Sequence, residues 1–195
     1  MSDILNGNAL IAIGILALLL ILYFGRRVYN VQADETFFIR DWENDFKRGL
    51  KKGINVLIDP RESVIRGANK PRYEFPSIDG ADNRTTGHLR NEKTGALDLK
   101  QQFCAPSFIA LTNEPRRMRV DAWVQFKVDS TKLQRIHDLG NSFGRALVKR
   151  IENAFSDQFG ARKDEEVRKD RHVISEAVLK ELVDFEKSKP LGLEF

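Results

Sequence analysis

Arg116 to Val128 reads RRMRVDAWVQFKV, and its alternation decides the fold class. Met118, Val120, Ala122, Val124, Phe126 and Val128 alternate strictly with Arg117, Arg119, Asp121, Trp123, Gln125 and Lys127. Period two over six pairs predicts one long strand with one face buried and the other wet or covered by a partner. Trp123 breaks the polar face. It either anchors a neighbouring subunit or packs against a loop, and it is the candidate interface residue.

Downstream the period changes. Leu139, Phe143, Leu147, Ile151, Ala154, Phe155 and Phe159 recur every three or four residues, which predicts an amphipathic helix over 141–158 ending near Gly160. A second helix is expected over 163–187. Asp164, Glu165 and Glu166 in its first turn suit the helix dipole, and Pro190 and Gly192 break it. Upstream the chain reads as short strands: Thr36–Ile39 first, then a Gly49…Gly53 turn feeding a buried strand at Asn55–Ile58. Val64-Ile65 and the Arg72–Phe75 segment, bracketed by Pro71 and Pro76, are weaker strands. Ser77 to Gly95 is an exposed loop or hairpin excursion containing the sequon Asn83-Arg84-Thr85. Phe108–Thr112 is a strand, closed by a turn at 113–115. Strands first and helices second predict α+β, with helices packed on one face of an antiparallel sheet.

The N-terminal stretch Ala9–Phe24, ALIAIGILALLLILYF, carries no charge, and the charge-free window runs from Ile4 to Gly25. As a helix, Ala9–Phe24 is about 24 Å long and Ile4–Phe24 about 31 Å, against a bilayer core of roughly 30 Å. A cleaved signal peptide would need a basic start and a small-residue cleavage site. MSDILNGN is acidic, and Tyr23-Phe24-Gly25-Arg26-Arg27 is a poor cleavage site. A buried core helix seldom stays apolar on every face for four turns. The expectation is therefore a tail over 1–8, an uncleaved single-pass transmembrane anchor over 9–25, and a domain over 28–195 that is β-rich to 130 and helical beyond. The anchor residues are Ala9, Leu10, Ile11, Ile13, Ile15, Leu16, Leu18, Leu19, Leu20, Ile21, Leu22 and Phe24, flanked by Arg26 and Arg27. The two arginines alone would place the domain in the cytoplasm.

The 195 residues hold 32 Lys and Arg against 28 Asp and Glu, a net charge of +4. The two signs are interleaved, which reads as a solvated surface and excludes a nucleic-acid footprint. Mean hydropathy is −0.40 despite the apolar run. Part of the basic excess lies near that run, at Arg26, Arg27, Lys47, Arg48, Lys51 and Lys52, and reads either as ordinary solubilising charge or as a set that anionic lipid headgroups would attract. The single cysteine, Cys104, excludes an intrachain disulfide and reads as a small buried hydrophobe. His88, His137 and His172 are scattered without metal-ligand spacing and read as surface residues. With no nucleophile or phosphate-loop motif, the expectation is no catalytic, cofactor or metal site and no enzyme.

The order of elements resembles the SPFH (Band 7) family of stomatins, prohibitins, flotillins and HflK/HflC, and is most similar to prohibitins. Val28-Tyr29-Asn30-Val31-Gln32-Ala33, after the apolar run, is similar to the segment prohibitins carry there. Gly49…Gly53-Ile54-Asn55-Val56-Leu57-Ile58 is similar to a family strand, with Asp59 intervening before Pro60. Leu111-Thr112-Asn113-Glu114 sits where the family often has Thr-Lys-Asp. Arg135-Ile136, Phe159, Arg171, Val173 and Gly192-Leu193 follow in prohibitin-like order. The resemblance covers Val28 to Phe195; the stretch 79–95 reads as an insertion.

That resemblance implies a membrane-anchored scaffold. Its partners would be the lipid bilayer, further copies or related subunits in rings or cages, and an AAA+ membrane protease that the assembly encloses or regulates. It also implies an exoplasmic domain, so the side of the membrane stays open. Family members usually continue into a long coiled-coil helix where this chain stops at Phe195, which predicts weaker, salt-sensitive rings. Two other classes fit the same outline: a bitopic structural subunit of a secretion or conjugation machine, and a membrane-anchored enzyme.

Overall fold

The computed structural model describes residues 2–43, 45–65, 72–79, 83–114 and 116–195. In chain order the elements are α1 (Ser2–Gly25), β1 (Val28–Val31), β2 (Glu35–Thr36), β3 (Phe38–Arg40), β4 (Phe46–Gly49), β5 (Gly53–Val56), β6 (Ser63–Val64), β7 (Glu74–Asp79) and β8 (Asn83–His88). There follow β9 (Leu97–Asp98), β10 (Gln102–Cys104), β11 (Ser107–Leu111), β12 (Arg117–Asp121) and β13 (Val124–Val128). The C-terminal part holds α2 (Leu133–Leu139), a 3-10 turn at Gly140–Ser142, α3 (Phe143–Gly160), α4 (Asp164–Lys169), α5 (Arg171–Ser188) and β14 (Leu193–Glu194).

The architecture is α+β, built from several small antiparallel sheets: β1-β5, β4-β3-β6, β2-β9, β7-β8, β11-β12 and β10-β13-β14. The larger core joins Phe75, Phe126, Leu133, Ile136, Phe143, Leu147, Ile151, Ile174, Val178 and Leu182, where α3 and α5 pack together and α3 lies on β7 and β11. Gly144 makes that approach possible, because a Cβ there would fall on the carbonyl oxygen of Glu74. A smaller core of Val31, Phe37, Ile39, Leu50, Leu57, Val64 and Ala96 lies behind β1 and β5.

The alternation holds from Arg117 to Val128, yet the segment is two strands. β12 pairs with β11, whereas β13 pairs with β10 and β14. The chain changes partner at Ala122, whose N–H donates to Pro106 O at 3.1 Å. Alternation records which face is buried and says nothing of which strand lies alongside. The expected second helix is likewise two, α4 and α5, parted at Asp170, a residue type of low helix propensity. α2 has no counterpart among the sequence expectations, and the first strand is β1 rather than Thr36–Ile39. The excursion after Ser77 is a hairpin, β7-β8, whose tip at 80–82 lies outside the described residues, as do Pro71 and Pro115.

Two further expectations are overturned. The apolar run is helical, but among the described residues no helix is long and apolar enough to cross a membrane. The single-pass transmembrane anchor is corrected accordingly, and with it the single-pass localisation. The second concerns 55–58. Leu57 is buried, but Ile54, Val56 and Ile58 point away from the protein.

Candidate functional site

Arg27 fixes the geometry where α1 meets the domain. Its guanidinium donates to the carbonyl oxygens of Asp59 at 2.7 Å, Pro60 at 3.1 Å and Leu57 at 3.4 Å. Its own carbonyl accepts the Leu57 N–H at 3.0 Å, and the guanidinium lies over the Tyr23 ring, 4.7 Å from the centroid. These bonds clamp the end of α1 to the tail of β5. The register Val28↔Val56, Asn30↔Ile54 follows.

Side chains alternate across a strand, so this register sorts the residues onto two faces. Val31 and Leu57 enter the small core. Ile54, Val56, Ile58 and Val28 occupy the other face, exposed by 77%, 45%, 73% and 46%, with the polar Asn30 across from Ile54. One face in the core and a mainly aliphatic face outside, broken by Asn30, departs from the usual polar exterior of a half-covered antiparallel pair. In α1, Leu10, Ile11, Ile13, Ile15, Leu16, Leu18, Leu19, Leu20, Ile21, Leu22 and Phe24 are all exposed as well. Trp42 is also exposed, with Arg61 over its ring at 5.0 Å. Apolar surface of this extent on a folded chain marks a contact with lipid or protein.

Charge fringes the patch. Lys51 and Lys52 stand exposed beside Gly53, and Arg26 beside Arg27. Lys47 bridges Asp59 at 3.3 Å and Glu62 at 3.0 Å, and Arg48 meets Glu62 at 2.9 Å. Hydrogen bonds to Glu62 and then Asp59 raise the Lys47 ammonium above its ordinary value. Asp59 is lowered, first by the Arg61 N–H and also by Lys47.

Trp123 lies elsewhere. It stands 65% exposed, meets Phe103 edge-on at 5.4 Å, and borders an open cleft of about 500 Å³ between β13 and α5. Phe155, Val178, Leu179, Leu182 and Phe195 complete its apolar wall. The ring rests on Phe103 of β10 rather than on a loop, and most of its surface is open.

Cys104 is buried as expected, and burial pushes its thiol up to about 12. His88 and His172 are exposed beside Glu92 and Glu176. His137 departs from expectation: it is half-buried against Phe38 and Phe46, with ring centroids 5.7 and 5.6 Å away. Among the described residues no group of three His, Cys, Asp or Glu is placed to hold a metal ion.

Sequence reasoning found α1 and its arginines but missed the β5 face. Ile54-Asn55-Val56-Leu57-Ile58 is apolar at four of five positions, which reads as burial on both sides. The available signal was the pair Lys51-Lys52 leading into it. The chain matches no protein-family model and no curated protein.

Proposed function

We propose that this protein is a scaffold subunit that works at a lipid surface and associates laterally with further copies, in the manner of the SPFH proteins it resembles. One observation carries the reading: the outer side of β1-β5 exposes Val28, Ile54, Val56 and Ile58, and α1 exposes its own run of aliphatic side chains, with Arg26, Lys51 and Lys52 exposed close by in the chain. Water is a poor solvent for that face, and burial of each isoleucine is worth about 1.5–3 kcal/mol. Acyl chains satisfy it, while Arg26, Lys51 and Lys52 are positioned for anionic headgroups.

Attachment confines every copy to two dimensions and one orientation, so weak lateral contacts suffice for assembly. The cleft beside Trp123 supplies the apolar anchor for such a contact. Heterologous contacts close into rings where the rotation permits. An AAA+ membrane protease is the client that the resemblance implies. The work done is steric, with no substrate transformed.

The test is photolabelling with a membrane-confined diazirine on vesicle-bound protein, followed by peptide mapping. Label on 54–58 as well as on α1 supports the reading. Label confined to α1 contradicts it.

A further inference from the structure

The foot of α1 holds a second feature, a cleft of about 500 Å³ whose walls include Leu19, Leu22, Tyr23, Arg26, Tyr29 and Leu57. That volume lies within the range of small-ligand sites, roughly 300–1,000 Å³. Its walls differ in kind. Leu19, Leu22 and Tyr23 offer hydrocarbon from the helix, and Arg26 offers a guanidinium at the rim.

The two arginines are not equivalent. Arg27 spends its donors on three backbone carbonyls and its face on Tyr23. Arg26 is exposed, and among the described residues no carboxylate pairs with it. Glu62 also borders the cleft, but Lys47 and Arg48 hold its carboxylate, and Lys47 holds Asp59. Four cations around two carboxylates leave the foot of α1 positive. This exceeds the partial negative charge, about half a unit, of a helix carbonyl end.

A cavity that is hydrocarbon on one side, with a free guanidinium on a positive field at its mouth, matches an amphiphile with an anionic phosphate ester. We infer that this cleft binds one anionic phospholipid, with its acyl chains along Leu19 and Leu22 and its phosphate on Arg26. The inference rests on the lipid-facing reading and deepens it, by naming the lipid class and the residue that selects it.

Arg26 and phosphate form a charge-assisted pair in a fork geometry that a lysine reproduces only as a point charge. The experiment measures binding of acyl-labelled phosphatidic acid and phosphatidylcholine to the full chain in mild detergent, with inorganic phosphate as competitor. The wild type should prefer phosphatidic acid. Arg26→Gln should reduce that preference roughly tenfold, Arg26→Lys should retain part of it, and Lys180→Gln, an exposed lysine of α5 outside the cleft, should leave it unchanged. Equal losses from Arg26→Gln and Lys180→Gln would reduce the effect to diffuse charge and overturn the inference. Displacement by inorganic phosphate at millimolar concentration would make the ligand a free phosphate and overturn the lipid assignment. The two readings fail separately. Photolabel on 54–58 without headgroup preference removes this site alone, whereas label absent from 54–58 removes the lipid-facing surface.

Discussion

Arg150 donates to the carboxylate of Glu186 at 2.6 Å, joining the middle of α3 to the last turns of α5 with both side chains largely buried. The same carboxylate accepts the N–H groups of Leu191, Gly192 and Leu193, and Arg150 also donates to Lys189 O at 2.6 Å. The pair therefore holds the turn that lays β14 against β13. Gly192, at φ +92, takes a conformation that other residues rarely adopt. Removing one member of a buried pair strands the other, so Arg150→Met should cost about 3–5 kcal/mol. Chemical denaturation of the full chain in detergent measures this; a cost below about 1 kcal/mol would show that the turn holds without the pair.

Asp129 makes stability depend on pH. Burial alone would push its carboxyl up, but the Thr131 hydroxyl at 2.6 Å, the Thr131 N–H at 2.8 Å and Lys132 at 3.1 Å outweigh it and hold the carboxyl below its ordinary value. A depressed folded value contributes stability above the unfolded carboxylate value, about 3.9, and loses it as pH falls through the folded one. Asp129→Asn should therefore be less stable than wild type near neutral pH and converge with it in acid. A difference constant across that range would contradict the assignment.

Trp123 bears on assembly. If its ring anchors the lateral contact, Trp123→Ala should weaken self-association roughly thirtyfold, as loss of an interface hot spot of about 2 kcal/mol does. Light scattering of gently extracted protein at low and high salt reads the mass. The wild type should be multimeric and the variant smaller. A folded wild type that is monomeric at both salts would remove the scaffold reading.

Much of the larger core was legible in the sequence, because Leu147, Ile151 and Val178 follow a helical period and Val120, Val124 and Phe126 a strand period. Both periods report burial directly. Partner choice was not legible: nothing local in Ala122-Trp123 reveals that β12 and β13 lie in different sheets. The stacking of His137 on Phe38 depends on contacts a hundred residues apart, which leave no local trace. The face of β5 was misread for another reason. Apolar side chains on both sides of a strand look alike whether the second side meets protein or something outside the chain, so composition could not separate Leu57 from Ile58.

The proposal that the exposed face of β5 meets lipid is tested most directly at Ile58. Cys104 is buried, with its thiol pushed up to about 12, so thiol reagents should pass it over and a cysteine placed elsewhere can be labelled selectively. The measurement is fluorescence from an environment-sensitive dye on Ile58→Cys, with full-length protein on vesicles carrying nitroxide-labelled acyl chains. Lys180→Cys, on the exposed side of α5, is the reference. Strong quenching at position 58 and none at 180 is the predicted result. A dye at 58 that escapes the nitroxide, and that aqueous iodide quenches as fully as the dye at 180, would contradict it.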